Sequence, residues 1–152
     1  MLESKGIVLV IDDDPLVLMN YVDLLEDAHY TVSEASSFTQ GWNIIQNRDF
    51  DLIICDHDLG DGKGIDLIKG LIAQNKNVPV IYLSGAQTQV LNEVRELTIV
   101  EEVLAKPVSE QTILELVEKY ISVVDEDKFP RLICDDERNL LLNNFMFDKD
   151  SE

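Results

Sequence analysis

Gly6-Ile7-Val8-Leu9-Val10-Ile11-Asp12-Asp13-Asp14-Pro15 is the stretch on which the fold turns. Six residues without a charge, mostly β-branched, suit a strand buried on both faces. Three acids then end it at once. Pro15 follows, and from there apolar residues stand at 16, 17, 18, 21, 22, 24 and 25. That spacing predicts an amphipathic helix over 15–27, with proline in its first turn and Asp14 as N-cap. A doubly buried strand feeding directly into a helix is half of a βαβ unit.

The same alternation continues outward. Short strands are predicted at 30–34, 51–55 (Asp-Leu-Ile-Ile-Cys), 79–83 (Pro-Val-Ile-Tyr-Leu) and 102–105. Helices are predicted over 38–46, 65–74, 87–97 (weakly patterned) and from a Ser109 cap, with Glu110 in the first turn, to about Ser122. Five strands alternating with five helices make an α/β, open doubly wound, five-stranded parallel sheet, flavodoxin-like in its (βα)5 pattern. Residues 5–123 form this domain, and 124–152 lie outside it.

Composition narrows the function. The 152 residues carry 12 Lys plus Arg against 30 Asp plus Glu, a formal net charge of −18. Such a chain repels phosphate backbones and anionic membranes, so direct nucleic-acid binding is not expected. No run of about 18 apolar residues suggests a membrane span. Met1–Lys5 lacks the pattern of a secretory signal, and Cys55 and Cys134 form no metal or redox motif; a cytoplasmic setting with reduced thiols is the expectation.

In a doubly wound sheet ligands bind beyond the carboxyl ends of the strands. There stand Asp12, Asp13 and Asp14 after the first strand, Asp56 and then Asp58 after the third, Ser84 after the fourth and Lys106-Pro107 after the fifth. Carboxylates converging in one crevice raise one another's pKa. A hard dication such as Mg2+ relieves this, and two carboxylates plus a carbonyl suit it. An added ammonium and hydroxyl complete a site of phosphoryl size, where positioning and charge neutralisation carry the chemistry.

These four strand-end motifs together, Asp12-Asp13, Asp56, Ser84-Gly85-Ala86 and Lys106-Pro107, resemble the response-regulator receiver domain of two-component signalling, over about residues 5–123. The resemblance implies that Asp56 accepts a phosphoryl group from a sensor histidine kinase, a phosphotransfer protein or a small phosphodonor. It implies Mg2+ held by Asp13, Asp56 and the Asp58 backbone carbonyl, with Asp12 acting through water. Ser84 would bond a phosphoryl oxygen, Lys106 would pair with Asp56, and the Lys106-Pro107 bond would be cis. The module would switch partner binding rather than turn over a substrate; the output partner is unspecified, and a homodimer is compatible.

The chain departs from the family at Gly60, often proline, where a more mobile loop is expected, and at Val103, often aromatic. Without the ring, the switch would rest on Ser84 and Lys106 moving the loop after strand four. Gly85 keeps the small residue expected beside Asp56. Other polar residues read plainly: Asp14 as a cap, His57 as an outward-facing loop residue, His29 as a loop residue, Asp61 and Asp66 as solvated loop and helix start. Trp42 is expected against the sheet and Cys55 in the core. Two rival readings compete with this one. Asp56-His57-Asp58 resembles the first motif of haloacid-dehalogenase-type phosphatases, but there the acid pair comes last and Thr or Val stands where Leu59 does. A degenerate scaffold conflicts with the intact acceptor, acid pair and lysine. In the tail, Leu132, Asp135, Asp136, Leu141 and Asn143 repeat Leu9, Asp12, Asp13, Leu18 and Asn20 in register. This opens a second module, or, the preferred reading, the tail is an amphipathic helix bearing Leu140, Leu141, Phe145 and Phe147.

Overall fold

The computed structural model describes residues 4–85 and 88–128. The strands are β1 (Ile7–Ile11), β2 (Thr31–Ala35), β3 (Leu52–Asp56), β4 (Val80–Ser84) and β5 (Val100–Ala105). The helices are α1 (Pro15–Asp27), α2 (Phe38–Asn47), α3 (Gly64–Ala73), α4 (Thr88–Arg95) and α5 (Glu110–Lys128). All strand pairs are parallel, in the order β2-β1-β3-β4-β5. The chain divides into two units at Val117 and Glu118, inside α5; the first contains the sheet and the site.

The two strands with wholly buried residues, β3 and β4, lie inside the sheet. The edge strands β2 and β5 are made mostly of half-buried and exposed positions. Leu9, Ile11, Ile53, Cys55 and Tyr82 of the sheet form one core cluster with Ile45 of α2 and Leu67, Ile68 and Leu71 of α3. Burying each such aliphatic side chain contributes roughly 1.5–3 kcal/mol.

Helix starts follow local chemistry. Asp14 accepts hydrogen bonds from the backbone N–H groups of Leu16 (3.0 Å) and Val17 (3.5 Å), so it is the expected N-cap. Ser37 caps α2 through Gln40 N–H. The α5 helix starts as expected but runs on through Lys128 rather than ending near Ser122, so the charged segment 123–128 is helical. The tail motif at 131–147 lies outside the described residues.

Trp42 packs against the core cluster that the strands share with α3, and it touches α3 closely: a Cβ added at Gly70 would lie 2.7 Å from Trp42 Cζ3. Glycine there leaves room for the indole, and Phe38 stacks with it at 6.5 Å between centroids.

Candidate functional site at the strand ends

The strand order reverses between β1 and β3, because β2 lies outside β1 and β4 outside β3. At such a switch point the two outgoing loops diverge and leave a crevice. The loops that border it begin with Asp12-Asp13 and with Asp56. One carboxylate oxygen from each of Asp12, Asp13 and Asp56 lies within 4.8 Å of the others. Asp12 and Asp56 are buried, and Asp13 is exposed. An oxygen set of this kind fits a hard dication, with room on the Asp13 side for water ligands.

Lys106 reaches into the crevice from the end of β5. Its Nζ lies 3.0 Å from Asp56 Oδ1 and 3.1 Å from Asp12 Oδ2. The other Asp12 oxygen accepts the Asp14 backbone N–H at 2.9 Å. Burial pushes the Asp56 carboxyl above its ordinary pKa; the hydrogen bond from Lys106 opposes this, and the Asp12 charge reinforces it. Burial alone would lower Lys106, but its hydrogen bonds to Asp56 and Asp12 win and raise it. The ammonium thus remains charged between two buried acids. The Lys106-Pro107 peptide is cis, as expected.

Ser84 closes β4, is 1% exposed, and its carbonyl accepts the Lys106 backbone N–H at 3.1 Å. Ser84 is thereby fixed at the same edge as the lysine. Val103 is half-buried in β5, with no aromatic ring at that place. Asp58 is exposed; its carboxylate accepts the Gly60 N–H at 3.2 Å and faces Lys63 at 3.6 Å. These contacts hold it below the usual carboxylate pKa. Gly60 has φ +81° and lies 3.7 Å, by an added Cβ, from Asp13 Oδ2. Proline, locked near −65°, cannot adopt that backbone, so this departure from the family is a different turn. The turn is tied by Leu59 N–H to Gly62 O and Asp61 N–H to Leu59 O.

Two plain readings need correction. Asp61 is not merely solvated. Its carboxylate accepts the backbone N–H of Phe38 (2.7 Å), and the N–H (3.1 Å) and hydroxyl (2.8 Å) of Thr39. It therefore caps α2 from the β3–α3 loop, and the Thr39 hydroxyl, then the N–H groups of Thr39 and Phe38, hold its pKa down. His57 does not simply face outward. It is half-buried, and its Nδ1 lies 2.5 Å from the hydroxyl of the buried Tyr82. The signal in the sequence was a tyrosine in an otherwise aliphatic strand, since a buried phenol needs a partner. Cys55 is core, as expected, its thiol pushed up by burial.

A groove of about 450 Å3 lies beside the crevice, lined by Val17, Asn20, Tyr21, Lys106, Pro107, Val108 and Glu110. On the same helix α1, Leu16 and Met19 are 66% and 51% exposed. Among the described residues no helix is long and apolar enough to cross a membrane.

Sheet order, acid cluster and lysine together define a receiver module of two-component response regulators. The chain belongs to the response regulator receiver domain family, whose model matches residues 8–118. It is 30% identical over 138 residues to a probable transcriptional regulatory protein of Picosynechococcus, covering 86% of this chain and 53% of that protein. It is 31% identical over 83 residues to the alginate biosynthesis transcriptional regulatory protein AlgB of Pseudomonas aeruginosa, covering 55% of this chain and 18% of AlgB. The chain thus spans about half or less of these curated relatives. The receiver domain of Francisella response regulator 1452 superposes with a TM-score of 0.74 at 27% identity, covering 78% of this chain and 98% of that one.

Proposed function

We propose that this receiver takes a phosphoryl group on Asp56 from a phosphohistidine of a sensor kinase or phosphotransfer protein. The observation that carries this reading is Lys106 Nζ, held between Asp56 Oδ1 and Asp12 Oδ2 beside the three-carboxylate cluster. Among the described residues, Asp56 is the buried strand-end carboxylate that faces both the lysine and the Asp12-Asp13 pair from a different strand. A carboxylate oxygen of Asp56 attacks phosphorus, the P–N bond to the donor imidazole breaks, and an aspartyl phosphate forms. Lys106 stays beside the new phosphoryl group, and the Ser84 hydroxyl donates to one of its oxygens. Asp12, Asp13, Asp56 and the Asp58 carbonyl would hold Mg2+, which when bound neutralises charge on the transferred group. Exposed Leu16 and Met19, with the groove beside Lys106, give a protein donor an apolar footing next to the acceptor. Slow hydrolysis resets the module, with no turnover of a separate substrate. The consequence is altered binding of an output partner in the cytoplasm.

The test is intact mass after incubation with Mg2+ and acetyl phosphate. The wild-type chain should gain one phosphoryl group, and Asp56→Asn should gain none. Full labelling of the Asn variant removes the assignment.

A further inference from the structure

His57 and Tyr82 have no part in the proposed transfer, yet they form a buried polar link beside it. Tyr82 lies in β4, two residues before Ser84, and is fully buried. In the sheet it is the register partner of Cys55, the residue before Asp56. Its hydroxyl meets Nδ1 of His57, the residue after Asp56. A phenol O–H can donate to that ring nitrogen, with the imidazole proton then on Nε2.

The surroundings leave the link little slack. Gly64 N–H donates to the His57 carbonyl at 2.7 Å. A Cβ at Gly64 would lie 2.3 Å from the Asp56 carbonyl oxygen and 3.0 Å from Tyr82 Cε1. The α3 start is therefore pressed against β3 and β4 together. His57 stands between Asp56 and Asp58, so whatever fixes its ring and carbonyl also fixes the backbone between the acceptor and the carbonyl expected on the metal. Removing the hydroxyl would leave the His57 ring nitrogen without this partner, and the loop would relax to satisfy it.

We propose that Tyr82 and His57 are positioning residues: the Tyr82–His57 hydrogen bond, with the Gly64 N–H on the His57 carbonyl, sets the β3–α3 loop so that the Asp58 carbonyl and the Asp56 carboxylate face one cation. This deepens the reading of the site given above and rests on it. Partners one bond removed from the metal typically change affinity 10- to 100-fold when lost. Tyr82→Phe keeps the ring and deletes only the hydroxyl. His57→Phe deletes the imidazole at a half-exposed position, and carries the test if the strand variant folds poorly.

The experiment is titration of each chain with magnesium chloride, read from backbone amide resonances of residues 57–66, with thermal midpoint measured alongside. Each variant should bind Mg2+ about 10-fold more weakly. The double variant should lose no more than either single one, because both break the same hydrogen bond. Labelling by acetyl phosphate should fall at low Mg2+ and recover when Mg2+ is saturating. The wild-type imidazole should show the tautomer with its proton on Nε2. Lowered thermal midpoints with unchanged Mg2+ affinity would make the link purely structural and overturn the proposal, as would a wild-type chain that binds no Mg2+. A wild-type chain that binds Mg2+ but is never labelled at Asp56 removes the functional reading instead, and the titration still decides the role of Tyr82.

Discussion

Neighbouring acids at the end of β1 do different jobs, and their bonds separate them. Asp14 points back into α1 as its cap. Asp12 splits its oxygens between the Asp14 N–H and Lys106. Asp13 is exposed and contributes an oxygen to the cluster with Asp12 and Asp56. Asp13→Ala should therefore remove most Mg2+ affinity and slow labelling by acetyl phosphate. Asp14→Ala should cost about 1 kcal/mol of stability, as lost caps do, and leave Mg2+ affinity nearly unchanged. Mg2+ titration and denaturant unfolding of both variants check this; the opposite pattern would exchange their roles. The cap role of Asp14 was legible in the sequence, because a cap must immediately precede Pro15 at the helix start. The roles of His57 and Asp61 were not legible. Both depend on which atoms of distant segments arrive beside them, and no spacing along the chain encodes that.

The β3–α3 loop is the element where local reading fell furthest short. A glycine-rich turn suggests looseness, yet Asp61 ties it to the first turn of α2. Gly62 seats it against Phe38, with an added Cβ 2.8 Å from the ring. A carboxylate at a helix N-terminus is favoured by the local dipole and by the unpaired N–H groups there. Its pKa is lowered on folding. The stabilisation is thus fully present above the ordinary carboxylate value, about 4, and is lost as pH falls through the lower native value. Asp61→Ala should lower the thermal midpoint at pH 7, and the gap to wild type should close in strongly acidic solution. Melting curves across that range test it; a gap independent of pH would assign the effect to packing rather than to the charge. Helix α5 teaches a related lesson. Its charged stretch 123–128 sets Glu126 and Lys128, good helix formers, among Val and Asp, which are poorer ones, and the helix continues through all of them.

At the scale of the molecule, the sheet was legible because its inner strands are short, rich in β-branched residues and, up to the terminal Asp56 of β3, free of charge, and because helical spacing separates them. Their order in the sheet is not written in any strand alone. The charge of −18 acts on the whole: like charges disfavour the compact state, and salt screens them. Raising NaCl should raise the thermal midpoint. Mg2+ at equal ionic strength should raise it further, because a ligand that binds only the folded state adds stability. The Mg2+-specific increment should vanish in Asp13→Ala while the salt effect persists. Equal responses to the two salts in the wild-type chain would show screening without a site.

The two outer strands have a bearing on how these molecules behave in a crowd. Each end of an open sheet offers a row of backbone groups on which a foreign strand could grow, and β2 and β5 occupy those ends. Glu34 stands exposed on β2, Glu101 exposed and Glu102 half-covered on β5. Two copies meeting edge to edge would bring acid against acid, a common guard against fibrous association. The guard acts through charge, and salt screens it. Concentrated protein at high ionic strength is therefore the condition under which this fold would lose part of its protection from sheet-to-sheet growth.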